Sequence, residues 1–140
     1  MILLDTNVLS ELMRPAPDAA VERWLTAQPD TSMFISAITE AELRYGAALL
    51  PSGKRRSTLT AEIEGMLDED FGGRILPFDR LAAQAFAAIA ADRRAAGRPI
   101  SQADAQIAAI TRSRGASLAT RNVPDFDGCG IQVINPWSVK

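Results

Sequence analysis

Short apolar runs alternate along the chain with longer segments in which apolar residues recur at helical spacing. The short runs predict buried β-strands at residues 1–4, 33–35, 74–77, 116–120 and 132–134. The longer segments predict helices at 8–14, between 18 and the proline at 29, between 36 and the proline at 51, and at 54–70, 79–96 and 101–113. Because strands separated by helices usually pair in parallel, this alternation predicts an α/β fold with a mostly parallel central sheet and helices on both faces.

Polar residues and glycines mark the expected ends of these helices. Asn7 follows the first strand and is expected to cap the first helix, which Pro15 ends. Asp79 is expected to cap the long alanine-rich helix, and Gly97 suits the turn after it. A chain of 140 residues has the usual length of one domain, so we expect residues 1–140 to form a single domain.

The amino-acid composition excludes several kinds of metal site and active site. The chain has no histidine and one cysteine, Cys129, which excludes zinc sites of the Cys/His type and a Ser-His-Asp hydrolase. Any bound metal must therefore be held by oxygen. A net charge of −2 argues against a protein that coats nucleic acid by bulk attraction. No apolar run approaches the roughly 18 residues of a membrane span, so we expect a cytoplasmic protein without a membrane partner.

Acidic residues occur where the predicted strands end or the next helices begin. In open parallel sheets ligands bind beyond the carboxyl ends of the strands, so Asp5 and the turn with Asp125 are candidates for a site. Glu42 and Asp104 lie near the starts of helices that can reach the same edge. Clustered carboxylates either take up protons or bind a cation, and Mg²⁺ prefers oxygen ligands.

Each candidate also has a purely structural interpretation. Asp5 could cap a helix beside Thr6 and Asn7, and Asp104 completes a sequence typical of a helix cap that begins at Ser101. Helical periodicity does not distinguish Glu42 from its neighbour at position 40, and the turn leaves Asp125 and the aspartate at 127 as alternatives.

Five segments together resemble PIN-domain proteins, specifically the VapC-type toxin ribonucleases and their FitB-like relatives. The segments are ILLDTN at 2–7, SAITEAELRYG at 36–46, ISQADAQIAA at 100–109, LATRNVPDF at 118–126 and NPW at 135–137. Their order and spacing span nearly the whole chain. The resemblance implies a three-layer PIN fold, and it matches the family's acidic positions to Asp5, Glu42 rather than Glu40, and Asp104. The family's fourth acidic position falls at Asp125, although Asn122 could take the metal-facing place.

The resemblance implies a toxin that is a metal-dependent endoribonuclease. Mg²⁺ or Mn²⁺ bound by the acidic residues would activate water for attack on an RNA phosphodiester. Residues expected to orient ligands, waters or substrate are Thr6, Asn7, Ser36, Thr120, Arg121 and Asn122. Arg121, and with less support Arg44, could contact the substrate phosphate.

The resemblance also implies partners. These are a cognate antitoxin that blocks the acidic pocket, an RNA substrate, a second copy in a homodimer or a higher toxin–antitoxin assembly, and operator DNA reached only through the antitoxin. The basic groups at 54–56 and at Arg93, Arg94 and Arg98 could guide RNA, or they could be ordinary solvated helix surface. Trp24 and Trp137 are expected to pack in the core, with base stacking as the alternative.

Two other functions are compatible with the same residues. The first is a catalytically silent binding module that acts with its antitoxin in transcriptional autoregulation. The second is a phosphatase of the haloacid dehalogenase type with Asp5 as nucleophile. That type needs an Asp-x-Asp arrangement, and Asn7 stands where the second aspartate belongs.

Overall fold

A computed structural model describes residues 1–138. Five short strands form one parallel sheet in the order β3-β2-β1-β4-β5. The strands are β1 Ile2–Leu4, β2 Met33–Ser36, β3 Ile75–Leu76, β4 Ser117–Ala119 and β5 Gln132–Ile134. The first strand therefore lies at the centre of the sheet, and the predicted α/β fold with a parallel sheet is confirmed.

Six helices connect the strands within the described residues. They are α1 Thr6–Leu12, α2 Ala19–Thr26, α3 Ala37–Ala48, α4 Lys54–Glu69, α5 Arg80–Ala95 and α6 Gln102–Ser113. Two 3₁₀ turns, Asp30–Ser32 and Val123–Phe126, precede β2 and follow β4. The cap predictions for α5 are confirmed, since the Asp79 carboxylate accepts from the N–H of Ala82 and Gly97 has a positive φ of 72°.

Apolar residues bury both faces of the sheet because successive side chains of a strand point to opposite sides. Leu4 belongs to a core packed by α1 to α4, which includes Trp24 as expected from the sequence. Leu3 and Leu118 belong to a second core packed by α5 and α6. These two cores on either side of one sheet make the three layers.

The first helix begins one residue earlier than its predicted cap. Asp5, and not Asn7, is the N-cap of α1, since its Oδ1 accepts from the N–H of Thr6 at 2.8 Å. The prediction for Asn7 was wrong because the chain turns directly from strand into helix at the aspartate. The amide of Asn7 is thereby free to reach across the sheet edge.

Candidate active site

Three polar side chains lie at the carboxyl edge of the sheet. Asp5 follows the central strand, Ser36 ends β2 and Thr120 follows β4. The backbone keeps these ends together, since the N–H of Asp5 donates to the carbonyl of Ala119 at 2.9 Å. Only the parallel arrangement brings positions 5, 36 and 120 to one edge.

Asp5 is buried, with 5% of its surface exposed, and several donors hold its carboxylate. The hydroxyl of Thr120 donates to Oδ2 at 2.8 Å, and the amide of Asn7 donates to the same oxygen at 3.4 Å. Asn7 also donates to the Thr120 hydroxyl at 3.2 Å and accepts from the N–H of Arg121 at 3.2 Å. Asp5 caps α1 and also faces the pocket, so the structural and functional interpretations of this residue are compatible.

Glu42 is linked to Asp5 through Thr6, whose backbone N–H donates to the carboxylate of Asp5. Thr6, the neighbour of Asp5, donates to Oε1 of Glu42 at 2.7 Å. Its hydroxyl also lies 3.2 Å from that of Thr39, which is fully buried beside the capping hydroxyl of Ser36. Thr39 was not identified from the sequence, although it shares a face of α3 with Glu42 three residues later.

The neighbouring glutamate of α3 points elsewhere. Glu40 forms an ion pair with Arg44 at 2.8 Å, and Arg44 forms a second pair with Glu64 of α4 at 2.7 Å. The structure therefore directs Glu42, and not Glu40, toward Asp5. Since Arg44 is engaged by two carboxylates outside the acidic pocket, its placement argues against the phosphate contact expected from the sequence.

Asp104 enters the same pocket from the first turn of α6. The hydroxyl of Ser101 caps this helix by accepting from the N–H of Asp104 at 3.2 Å. The cap sequence is therefore real, and the serine side chain performs the capping while the half-buried aspartate lines the pocket.

One open pocket of about 570 Å³ contains Asp5, Glu42 and Asp104 together. Thr6, Asn7, Arg121 and Asn122 also line it, which places four of the six predicted supporting residues on its wall. Ser36 and Thr120 lie behind that wall and act on it through Thr39 and Asp5.

Three further lining residues, Ser10, Glu11 and Arg14, were missed by sequence reasoning. Glu11 is a buried carboxylate that accepts from the N–H of Asp18 at 3.1 Å and forms an ion pair with Arg14 at 3.3 Å. Arg14 and Arg121 give the acidic pocket two cations on its wall. The guanidinium of Arg121 lies 5.1 Å from the ring centroid of Trp137, which also lines the pocket. The only sequence signal was the three-residue spacing between Glu11 and Arg14.

The fourth acidic position lies at the margin of this pocket. Asp125 is exposed in the second 3₁₀ turn, near enough for its charge to affect Asp104, whereas Asn122 lines the pocket itself. Asp127 forms an exposed ion pair with Arg98 at 2.8 Å, which lowers the pKa of its carboxyl. The geometry thus favours Asp125 or Asn122 over Asp127.

Burial and mutual repulsion destabilise the ionised carboxylates. Removal from water raises the pKa of Asp5, and the charges of Asp104 and Glu42 raise it further, against the hydrogen bonds from Thr120 and the N–H of Thr6. Burial likewise raises the pKa of Asp104, with added repulsion from Asp125 and Glu42 and an opposing hydrogen bond from Ser101. Such a cluster gains stability from a proton or a cation.

The pocket offers oxygen donors of the kind that a divalent ion needs. Within residues 1–138 no three acidic or thiol side chains stand close enough to hold a metal ion by themselves. Mg²⁺ needs fewer protein ligands, because it commonly uses one or two carboxylates, several waters and a substrate phosphate. The carboxylate oxygens of this pocket, with the raised pKa values of Asp5 and Asp104, therefore fit a Mg²⁺ site that is completed by water and substrate.

The expected basic surface is only partly present. Lys54 and Arg55 are exposed at the start of α4, and Arg94 is exposed near the end of α5. Arg93 is buried, with 8% of its surface exposed, and its guanidinium donates to the backbone carbonyls of Arg98, Asp125 and Asp127. The prediction that Arg93 is a surface residue was wrong, because its side chain turns inward toward the loop after β4. In residues 1–138 no helix is both long and apolar enough to cross a membrane.

A parallel β-sheet covered by helices, with an acidic pocket at its carboxyl edge, is the arrangement that was expected of a PIN domain from the sequence. The family model described as "PIN domain" matches residues 2–126. The chain belongs to the PIN-domain family.

Two relatives match this chain over nearly its whole length. The chain is 44% identical to the VapC ribonuclease Y4jK of Sinorhizobium fredii over 137 residues, which cover 98% of both proteins. It is 42% identical to the toxin FitB of Neisseria gonorrhoeae over 137 residues, covering 98% of this chain and 99% of FitB.

Solved structures match in the same way. The structure of FitAB bound to the IR36 DNA fragment aligns with a TM-score of 0.92 and 41% identity, covering 100% of this chain and 98% of the other. A member of the VapBC family of toxin–antitoxin systems from Mycobacterium tuberculosis aligns with a TM-score of 0.71 and 25% identity, covering 95% and 96%. The chain is thus a homologue of VapC ribonucleases and of the FitB toxin.

Proposed function

We propose that this chain is the toxin of a toxin–antitoxin pair and a Mg²⁺-dependent endoribonuclease, with Mn²⁺ as an alternative ion. The observation that carries the proposal is the convergence of Asp5, Glu42 and Asp104, from a strand end and two helices, in one acidic pocket. The names of the full-length relatives support the same activity.

The pocket residues have two proposed roles, which are to bind the ion and to hold its ligands in place. Asp5, Glu42 and Asp104, together with Asp125, would supply carboxylate oxygens for the ion. A bound Mg²⁺ supplies an activated water and neutralises charge that develops on phosphorus. Thr120 and Asn7 hold the Asp5 carboxylate in place, and Thr6 does the same for Glu42.

Substrate would be held by the cations of the pocket wall. Arg121 presents a planar guanidinium that can bind two phosphate oxygens at once. Its stacking on Trp137 limits the orientations of that group before RNA arrives. Asn122 lies beside Arg121 on the wall and can donate to a substrate oxygen.

The proposed protein partner is an antitoxin that blocks the pocket. A second, mostly apolar groove with Met13, Leu43 and Ile63 on its wall shares Thr6 and Glu42 with the acidic pocket. An antitoxin helix in this groove could extend an arginine to the carboxylates. The similarity to FitAB, whose structure is of a complex bound to a DNA fragment, supports an operator complex made through such a partner. We expect a homodimer in the cytoplasm.

The test compares two glutamates of one helix. Glu42→Gln should abolish Mg²⁺-dependent cleavage of cellular RNA by antitoxin-free protein, whereas Glu40→Gln should leave it unchanged because Glu40 pairs with Arg44 outside the pocket. Cleaved ends mapped by sequencing identify the target. Wild-type protein that binds its antitoxin but cuts no RNA with Mg²⁺ or Mn²⁺ would favour the silent binding module.

A further inference from the structure

Arg93 lies in the last turn of α5 with its guanidinium inside the protein. Arginine is almost never fully buried unless its charge and donors are satisfied. Here Nε donates to the carbonyl of Arg98 at 2.7 Å. Nη1 donates to the carbonyls of Asp125 at 2.9 Å and Asp127 at 2.8 Å. These three hydrogen bonds are all made to backbone groups.

These carbonyls belong to two segments that both lead to the acidic pocket. Arg98 lies in the turn between α5 and α6, shortly before Asp104 in the first turn of α6. Asp125 and Asp127 lie in and just after the second 3₁₀ turn. One planar guanidinium therefore connects the segment that carries Asp104 with the segment that carries Asp125. Its rigid fork fixes the separation of the groups that it binds.

The loop after β4 is held by the buried side chain of Phe126 and by the backbone contacts of Arg93. The 3₁₀ turn has no side-chain cap of its own. Among the described residues, the other hydrogen-bonded link between these two segments is the ion pair between Arg98 and Asp127, in which both side chains are exposed. Exposed ion pairs contribute little to stability, so the buried contacts of Arg93 are the stronger constraint on the loop.

We propose that Arg93 is a positioning residue that sets the place of Asp125 relative to Asp104 by holding both segments on one guanidinium. This inference rests on the proposed metal-dependent activity. It gives Arg93 no contact with substrate or metal, and it replaces the RNA-guiding role with an internal one.

The test replaces the guanidinium of Arg93 in two ways. Arg93→Met keeps the length and loses every donor, whereas Arg93→Lys keeps the charge and one donor group. We expect Arg93→Met to weaken Mn²⁺ binding and RNA cleavage by about 10- to 100-fold, the usual effect of losing a group that orients metal ligands. Mn²⁺ binding is measured from the electron paramagnetic resonance signal of the free ion. Arg93→Lys should give a smaller loss. Arg80→Met, an exposed arginine of the same helix, should match wild type.

Hydrogen exchange and a double variant separate positioning from general stability. Amides of residues 121–128 should exchange faster in Arg93→Met while the strand amides keep their protection. In an Asp125→Asn background, Arg93→Met should add less than about a threefold further loss of Mn²⁺ affinity, because Arg93 acts through Asp125. A full additional loss in that background would overturn the inference.

The remaining outcomes are also decisive. A folded Arg93→Met protein that binds Mn²⁺ and cleaves RNA like wild type would overturn the inference while leaving the proposed function intact. If Arg93→Met does not fold, Arg93→Lys decides, and wild-type Mn²⁺ affinity in that variant would refute positioning. Failure of wild-type protein itself to bind Mn²⁺ and cut RNA would instead refute the proposed function.

Discussion

Replacement of Thr120 by valine tests how the buried charge of Asp5 is held. The Thr120 hydroxyl is fully buried and donates to Oδ2 of Asp5 at 2.8 Å. It also accepts from the N–H of Asn122 at 3.1 Å and from the amide of Asn7 at 3.2 Å. Valine has nearly the same shape but leaves the carboxylate with a single weaker side-chain donor.

The size of the effect depends on the charge of Asp5. A hydrogen bond to an ionised group contributes about 1.5–3 kcal/mol, and one between neutral groups about 0.5–1.5 kcal/mol. Thr120→Val should therefore lower the free energy of unfolding by about 2–3 kcal/mol at a pH above the folded pKa of Asp5, where the carboxyl is ionised, and by about 1 kcal/mol below that pKa, where it is protonated.

The sign of the pH dependence follows from the pKa of Asp5. Burial and the neighbouring carboxylates raise this pKa in the folded protein above its ordinary value of 3.8. The stability gained from the bound proton is present at low pH and is lost as the pH rises through the folded pKa. Because loss of the Thr120 hydroxyl raises the folded pKa further, the cost of Thr120→Val must grow as the pH rises.

The assay is urea unfolding of metal-free protein at neutral pH and near pH 4. Thr120→Ser is the matched control, because it keeps the hydroxyl and loses a buried methyl worth about 1 kcal/mol at either pH. A cost of Thr120→Val that is the same at both pH values would refute the idea that the hydroxyl stabilises an ionised Asp5.

Three further outcomes are expected. Asp104→Asn should abolish cleavage but raise the urea midpoint of metal-free protein at neutral pH, because the pKa of Asp104 is raised by burial and by neighbouring carboxylates; a lowered midpoint would contradict this. Arg44→Met should cost less than about 1 kcal/mol in unfolding experiments and leave cleavage unchanged, since both of its ion pairs are exposed. Arg121→Ala should raise KM for RNA and reduce the salt slope of binding by about one, if this arginine contacts a phosphate; an unchanged slope would remove that contact.

The fold was predictable because buried parallel strands appear in the sequence as short apolar runs between helices. Leu3 and Leu118 form such runs, and each is followed within two residues by a polar residue of the pocket. The position of Asp5 at the carboxyl edge followed from this pattern alone. Selection of Glu42 over Glu40 did not, because both lie next to the apolar stripe of α3. The family resemblance selected Glu42, and in the structure Glu42 contacts Thr6 while Glu40 pairs with Arg44.

Contacts between distant segments could not be predicted. Arg93 was assigned to the surface because arginine is usually exposed, and two of its acceptors are backbone carbonyls more than thirty positions away. The stacking of Arg121 on Trp137 and the placement of Arg14 on the pocket wall likewise depend on tertiary packing. The local sequence pattern does not indicate which residues of distant segments will be in contact.

In the proposed site, separate carboxylates share one divalent ion. Anomalous diffraction from a crystal soaked in Mn²⁺ would locate that ion. We predict one strong peak in the pocket, coordinated by the carboxylate of Asp5 and by that of Asp104 or Glu42, and lost in Asp5→Asn crystals. A pocket without a peak, in crystals where Mn²⁺ binds elsewhere on the chain, would contradict the account.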